Sequence, residues 1–191
     1  MGYFDTEEKV EEYIQMAKGV DGRELVEALR QHLPDGATVL ELGMGPGKDL
    51  EILRESYRAT GSDSSNLFVE RYRKTHPEAD LMVLDAALMD TDRRFDAIYS
   101  NKVLQHLTRA ELEESLHLQA KVLNSGGIML HSFWYGDGEE EFSGLRFVYY
   151  TEESFGELVG DEYSIVESKR YAEMEDNDSI YFVLAKRSRQ P

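Results

Sequence analysis

The chain has 191 residues, of which 41% are hydrophobic and 31% charged, a composition typical of one soluble globular domain. Its formal net charge of -17 disfavours nucleic acid as a partner, because such a surface repels phosphate backbones. With no cysteine, the chain forms no disulfide and offers no thiolate nucleophile or Cys-ligated metal, and we expect no metal site. The sequence shows neither a membrane-length apolar run nor a secretory signal, so we expect a cytoplasmic protein with no membrane partner.

Two amphipathic helices are predicted before the first strand. The first covers residues near 6 to 17 and places its apolar residues, Tyr13 among them, on one face. The second is predicted to open at a capping box formed by Asp21 and Glu24 and to end at Pro34.

The stretch 39–50 predicts a strand, a tight turn and the start of a helix. Apolar residues lead into Gly43, Gly45 and Gly47, and Leu50, Leu53 and Tyr57 follow at helical spacing. Glycine suits such a turn because the backbone must bend sharply and approach a ligand closely. The pattern therefore indicates a nucleotide-binding corner, or else a tight strand–helix turn that binds nothing.

Two other glycine motifs fit this corner less well. A dinucleotide fingerprint needs glycine at position 48, where the chain has Lys48. A phosphate loop needs glycine at 42 and Ser or Thr at 49, where Leu42 and Asp49 stand. Glu41 also repels phosphate, whereas it attracts a sulfonium or an amino group.

The order Glu41-x-Gly43-x-Gly45-x-Gly47 resembles the first motif of class I S-adenosylmethionine-dependent methyltransferases. This resemblance implies that the glycine turn shapes the bed for the methionine and ribose of S-adenosyl-L-methionine. It implies that Glu41 orients the turn or contacts the methionyl amino group. The residues expected to bind the cofactor are Glu41, Gly43, Met44, Gly45, Gly47, Asp63, Ser64, Asp85, Ala86 and Asn101.

Two acids downstream match the same family. A short second strand is predicted to end at Asp63, 22 residues past Glu41, where nucleotide folds place an acid on the ribose hydroxyls. The alternative is that Asp63 caps the next helix, and both roles are compatible. A third strand leads to Asp85 and Ala86, which the resemblance assigns to the adenine amine and a ring nitrogen; the alternative is a loop acid without a ligand.

The acceptor side carries no diagnostic motif. The segment from Ser100 to Leu107 resembles the loop after the fourth strand in small-molecule methyltransferases. His106 in this loop is a candidate general base, since its reference pKa lies near neutrality, although a structural role is the alternative. A capping box at Thr108 and Glu111 opens the next helix.

The hydrophobic pattern breaks down from Tyr135 to Tyr150, where residues 136–138 and the three glutamates at 139–141 predict a mobile, solvated loop flanked by aromatic residues. Aromatic walls hold apolar or cationic acceptors well, but simple core burial is the alternative. The candidates for acceptor contact are Tyr13, Trp134 and Tyr149.

Two further strands close the pattern, so we expect an α/β three-layer sandwich with a seven-stranded, mostly parallel Rossmann-like sheet. The resemblance implies the order 3-2-1-4-5-7-6 with an antiparallel last strand. It also implies one domain over 1–191, with a helical lid (1–36), a cofactor-binding core (37–134) and an acceptor side (135–191).

The function that this reading predicts is transfer of the methyl group of S-adenosyl-L-methionine to a nucleophilic atom of a small molecule. One alternative is a catalytically silent cofactor-binding module that acts through a protein partner. A nicotinamide-dependent oxidoreductase is a second alternative. Aminopropyl transfer from decarboxylated S-adenosylmethionine is a third, although the acidic acceptor motif of that family is not evident.

Overall fold

The computed structural model describes residues 3–160 and 162–187. Helices and strands alternate through the first two thirds of the chain, and strands dominate the rest. The helices are α1 (Glu7–Met16), α2 (Arg23–Arg30), α3 (Lys48–Leu53), α4 (Asn66–Thr75), α5 (Arg109–Val122) and α6 (Glu152–Val159), with a 3-10 turn at Leu104–His106. The strands are β1 (Thr38–Leu42), β2 (Arg58–Asp63), β3 (Asp80–Val83), β4 (Phe95–Asn101), β5 (Leu123–Trp134), β6 (Glu139–Phe142), β7 (Leu145–Val148), β8 (Tyr163–Tyr171) and β9 (Ser179–Lys186).

Seven strands form one sheet in the order β3-β2-β1-β4-β5-β9-β8. Strands β1 to β5 are parallel, and β9 pairs antiparallel with both β5 and β8. Because β6 and β7 pair only with each other, β8 and β9 take the places predicted for strands six and seven. The predicted fold class, the strand order and the antiparallel last strand are confirmed.

The register of the central strands brings three loop starts together. Leu42 at the end of β1 lies opposite Ser62 of β2 on one side and Ser100 of β4 on the other. The chain then leaves β1, β2 and β4 at the same edge of the sheet, which is where ligands bind in open α/β folds. Only residues 84–94 join β3 to β4, and they form no helix.

Two boundaries at the start of the chain differ from the predictions. The N-cap of α2 is Gly22 and has no side-chain cap, so the predicted Asp21 capping box is wrong. Asp21 instead accepts a hydrogen bond from the Arg23 amide at 3.1 Å. Helix α3 ends at Leu53, so Tyr57 lies beyond it.

The capping box at α5 is present as predicted. The Glu111 amide donates to Thr108 Oγ1 at 3.2 Å, and the Thr108 amide donates to Glu111 Oε2 at 2.8 Å.

The stretch predicted as a mobile loop contains a β-hairpin, so that prediction is wrong. Strands β6 and β7 pair antiparallel, with Phe142 opposite Leu145. Ser143 and Gly144 form the turn, with φ of 52° and 83°, as a tight two-residue turn of this kind requires. The residues of β6 are exposed on both faces, so the polar alternation that marks a half-buried strand is absent.

Each face of the main sheet carries its own apolar core. One core packs α5 and α6 on the sheet, and the other packs α2 and α3 on the opposite face. Within the described ranges, each helix is either too short or too polar to span a membrane.

Candidate functional site

The glycine turn after β1 is packed from both sides. Gly43 and Gly47 have φ of 66° and 85°, a region that favours glycine. A Cβ at Gly43 would stand 2.5 Å from Val103 Cγ2, and one at Gly47 would stand 2.2 Å from the Tyr72 ring. Neither position accepts a larger residue without displacement of its neighbour, and Val103 brings the loop after β4 directly against the turn.

Three carboxylates surround this turn, and all are buried. Glu41 in β1 is 3% exposed, Asp49 in the first turn of α3 is 8% exposed, and Asp63 at the end of β2 is 6% exposed. Met44, between the first two glycines, is also buried, and its amide donates to the Ser62 carbonyl at 2.8 Å. The turn is thus fastened to β2 and lined by negative charge.

Glu41 has the fewest hydrogen bonds to its carboxylate among the three acids. Its Oε2 has no hydrogen-bond partner among the described residues. Burial raises its pKa well above the usual glutamate value, and the charges of Asp49 and Asp63 raise it further. A buried acid without a partner attracts a positively charged ligand, because such a ligand offsets both the repulsion and the lost hydration.

Asp63 is held in place by the turn itself. Its Oδ2 accepts from the Gly45 amide at 2.9 Å and its Oδ1 accepts from the Ser65 amide at 2.8 Å. Burial raises the pKa of Asp63, and these two hydrogen bonds oppose that rise. A carboxylate has about four lone-pair sites, so two remain for further donors.

Asp49 was not among the residues predicted for the site, yet it connects three elements. Its Oδ1 accepts from the Gly22 amide at 2.7 Å. Its Oδ2 accepts from the Tyr99 hydroxyl at 2.7 Å and from Asn101 Nδ2 at 3.0 Å. Acids are common in the first turn of a helix because they interact favourably with the helix dipole. The position of Asp49 in the sequence therefore does not indicate that it links these three elements.

The remaining predicted cofactor residues lie along the same edge. The Asn101 side chain is engaged by Asp49 and also accepts from Ser132 Oγ at 2.7 Å. Asp85 is exposed, and its Oδ1 accepts from the Ala87 amide at 2.8 Å, while Ala86 is half-buried. Ser64 is exposed beside Asp63.

Tyr13 of α1 lies over the glycine turn. A Cβ at Gly45 would be 3.3 Å from its ring, and the ring packs edge-to-face on Phe4 and Phe68. Burial raises the pKa of Tyr13 to about 12, helped first by the nearby charge of Asp63. Lys48 holds the end of this segment by donating to the Ala17 carbonyl at 2.7 Å.

The aromatic residues predicted for acceptor contact are engaged within the protein. Lys102 Nζ lies 3.9 Å from the centroid of the Trp134 ring and forms an ion pair with Glu173. Burial lowers the pKa of Lys102, and Glu173 opposes that change. The Tyr149 hydroxyl donates to Glu140 of β6. These contacts occupy the Lys102-facing side of Trp134 and the hydroxyl of Tyr149.

The two histidines of this region differ in setting. His131 is a fully buried residue of β5 whose Nδ1 lies 2.8 Å from Ser100 Oγ, and burial lowers its pKa to about 3. His106 is only half-buried, and its Nδ1 lies 2.7 Å from the carbonyl oxygen of Arg146 in β7.

The described residues contain no group of three or more His, Cys, Asp or Glu side chains arranged to hold a metal ion. The three acids at the glycine turn form an acidic lining. Such a lining fits a ligand that presents positive charge and hydroxyl donors.

Comparison with known proteins relates part of this chain to methyltransferases. The sequence model of a family described as "Methyltransferase domain" matches residues 39–127, a range that contains the glycine turn, Asp63, Asp85 and Asn101. The chain is 35% identical over 81 residues to a trans-aconitate 2-methyltransferase of Azoarcus sp. (strain BH72), and 34% over 80 residues to that of Variovorax paradoxus (strain S110). These matches cover 41% and 40% of this chain but only 32% and 31% of the relatives, about a third of their length.

Solved structures share the fold. A 1,6-didemethyltoxoflavin-N1-methyltransferase of Burkholderia thailandensis superposes with a TM-score of 0.79 at 19% identity, over 93% of this chain and 83% of that one. An S-adenosylmethionine-dependent methyltransferase of Clostridium acetobutylicum gives a TM-score of 0.76 at 11% identity, over 92% and 98%. Residues 39–127, which include the glycine turn, thus match a methyltransferase domain, and the chain shares the fold of these solved methyltransferases.

Proposed function

We propose that this chain binds S-adenosyl-L-methionine at the glycine turn and transfers its methyl group to a nucleophilic atom of a small molecule. The observation that carries the proposal is the unpartnered Oε2 of Glu41, buried beside Asp49 and Asp63. S-adenosylmethionine presents a sulfonium and an ammonium group, and three buried carboxylates favour such a ligand over a phosphate-bearing one.

The residues of the chain fit the parts of this ligand. Asp63 keeps lone pairs for the two ribose hydroxyls, and its position is fixed by the Gly45 and Ser65 amides. Asp85 and the Ala86 amide are proposed to contact the adenine. They directly follow Leu84, whose amide donates to the Asp63 carbonyl at 3.0 Å. When bound, the cofactor supplies a methyl group already activated by a positively charged sulfur.

The task of the protein is then mainly alignment and exclusion of water. Holding an acceptor and a donor in reactive geometry contributes roughly 7 kcal/mol or more to lowering a barrier. Asp63 is only 6% exposed, and the Ser65 hydroxyl beside it donates to the Phe4 carbonyl at 2.7 Å. We therefore expect the segment from Phe4 to Ala17, which contacts Ser65 and the glycine turn, to move when the cofactor enters and to shield the site when it returns.

The acceptor is proposed to be a small molecule. The relatives support this class, since their names refer to trans-aconitate and to 1,6-didemethyltoxoflavin. The net charge of -17 and the acidic lining of the site disfavour nucleic acid as the alternative.

The experiment is formation of S-adenosylhomocysteine from S-adenosylmethionine, measured with and without a panel of small amines, phenols, thiols and carboxylates. We expect turnover that depends on one acceptor and is lost in Asp63→Ala. The matched control is Asp92→Ala, because Asp92 is an exposed acid away from the turn. Cofactor binding without turnover on any acceptor would instead favour a silent cofactor-binding module, and turnover that survives Asp63→Ala would contradict the proposed site.

A further inference from the structure

His106 is five residues past the end of β4, in a 3-10 turn that follows Val103, and Val103 packs against the glycine turn. Val103 provides the link, because its side chain fills the space where a Cβ of Gly43 would stand, at 2.5 Å. The His106 amide donates to the Val103 carbonyl at 3.2 Å and closes the 3-10 turn. The imidazole is therefore carried by a short rigid turn that rests on the glycine turn.

The hairpin fixes which ring nitrogen carries the proton. His106 Nδ1 lies 2.7 Å from the Arg146 carbonyl oxygen, and a carbonyl accepts but never donates a hydrogen bond. Nδ1 must hold a hydrogen for this contact, so a neutral ring has its lone pair on Nε2. Nε2 has no hydrogen-bond partner within 3–160 and 162–187, and the Phe147 ring packs edge-to-face at 4.8 Å to hold the ring plane.

The charges around His106 leave the ring neutral. Burial lowers its pKa, and the Arg146 carbonyl opposes that change. The charged side chains of the adjoining elements are committed elsewhere. Arg146 lies 3.4 Å from Glu139 across the hairpin, and Glu111 of α5 closes the capping box with Thr108. A neutral imidazole with an unoccupied Nε2 is the form that accepts a proton.

We propose that Nε2 of His106 is the general base of the reaction, and that the acceptor is an amine or a hydroxyl, a group that carries a proton at neutral pH. The acceptor's lone pair forms the bond to the methyl carbon, the carbon–sulfur bond breaks with its electrons on sulfur, and the acceptor's proton passes to Nε2. A carboxylate such as trans-aconitate carries no proton to remove at neutral pH. The inference rests on the proposed function and narrows its substrate class.

The first test reads the ring directly and needs no acceptor. Protein labelled with ¹⁵N-histidine is observed by long-range ¹H–¹⁵N NMR, and the His106→Gln spectrum assigns the signal. We expect a neutral ring with hydrogen on Nδ1 at pH 7 and a titration midpoint below the usual histidine value. Hydrogen on Nε2, or a ring charged at pH 7, would overturn the inference.

The second test is kinetic and uses the acceptor panel described above. With an amine or phenol acceptor, His106→Gln is expected to lower kcat by about 10²–10⁴-fold with little change in KM. The deficit should shrink as the pH approaches the acceptor's own pKa, which a structural role would not produce. His117→Gln is the matched control, because His117 is exposed on α5 and pairs with Glu162. Unchanged kcat in His106→Gln, or turnover only with carboxylates, would overturn the inference.

The two proposals fail in different ways. Absence of S-adenosylmethionine binding would refute the proposed function while leaving the His106 tautomer as measured. A wrong tautomer in a protein that binds the cofactor and transfers methyl groups would refute only the role of His106.

Discussion

Replacing Glu41 with Gln should stabilise the cofactor-free protein against unfolding and should lower its affinity for the cofactor. Glu41 is 3% exposed, its Oε2 has no partner, and its pKa is raised by burial and by Asp49 and Asp63. Leaving such a group unpaired costs about 1–3 kcal/mol, and more when it is charged. Gln keeps the shape and removes the charge, so we expect a gain of about 1–3 kcal/mol at pH 8. For a domain of this size, that corresponds to roughly 2–4 °C in Tm per kcal/mol.

The pH dependence gives this prediction its sign. Between the usual glutamate pKa and the raised one, the folded state binds more protons than the unfolded state, so stability falls as pH rises through this window. Glu41→Gln lacks that fall. Urea unfolding from pH 4 to pH 8 should therefore give curves for the two proteins that converge at acid pH and separate as pH rises.

The matched control is Glu157→Gln, which removes an exposed charge on α6 and should change stability little at any pH. Calorimetry should show that Glu41→Gln, but not Glu157→Gln, binds S-adenosylmethionine at least tenfold more weakly. A Glu41→Gln protein that is destabilised across the whole pH range would refute the reasoning, because Glu41 would then have a stabilising partner.

Two further changes test the packing that shapes the site. Asp49→Ala leaves the Gly22 amide, the Tyr99 hydroxyl and the Asn101 amide without their acceptor, so we expect a loss of roughly 3–5 kcal/mol in urea unfolding. Asp49→Asn keeps the shape and one acceptor oxygen and should lose less; equal losses in the two variants would show that the retained acceptor oxygen contributes nothing to stability. Gly47→Ala places a Cβ 2.2 Å from the Tyr72 ring at a φ of 85° and should destabilise by more than 1 kcal/mol. Gly156→Ala, with nothing within 4 Å inside α6, should be stabilising by about 0.5–1 kcal/mol, and a similar result at both glycines would contradict the account of the turn.

Predictions of helix starts, strand ends and turns from the sequence are correct where the local residue pattern and the tertiary packing agree. The capping box of Thr108 depends on two residues three apart, so it is readable in one dimension. The strand that ends at Asp63 and the glycine turn before α3 are equally local. The sheet order came from the resemblance alone, because hydrophobic pattern does not specify which strands are neighbours.

The predictions that differ from the structure, and the residues that were missed, have physical explanations. The β6–β7 hairpin has a strand whose residues are exposed on both faces, so its composition resembles that of a solvated loop. The predicted capping box at Asp21 is absent. The N-cap of α2 is instead Gly22, whose amide donates to Asp49, 27 residues away. The same long-range contact explains why Asp49 was missed. Lys102, with a φ of 57°, packs on Trp134 only because β4 and β5 are neighbours.

The central claim is that the acidic glycine turn holds S-adenosylmethionine. The most direct measurement is calorimetric titration of the purified protein with S-adenosylmethionine, S-adenosylhomocysteine and, separately, NADH. We expect micromolar binding of both sulfur ligands, lost in Asp63→Ala and retained in Asp92→Ala, with no binding of NADH. A folded protein that binds neither sulfur ligand, or that binds NADH alone, would contradict it.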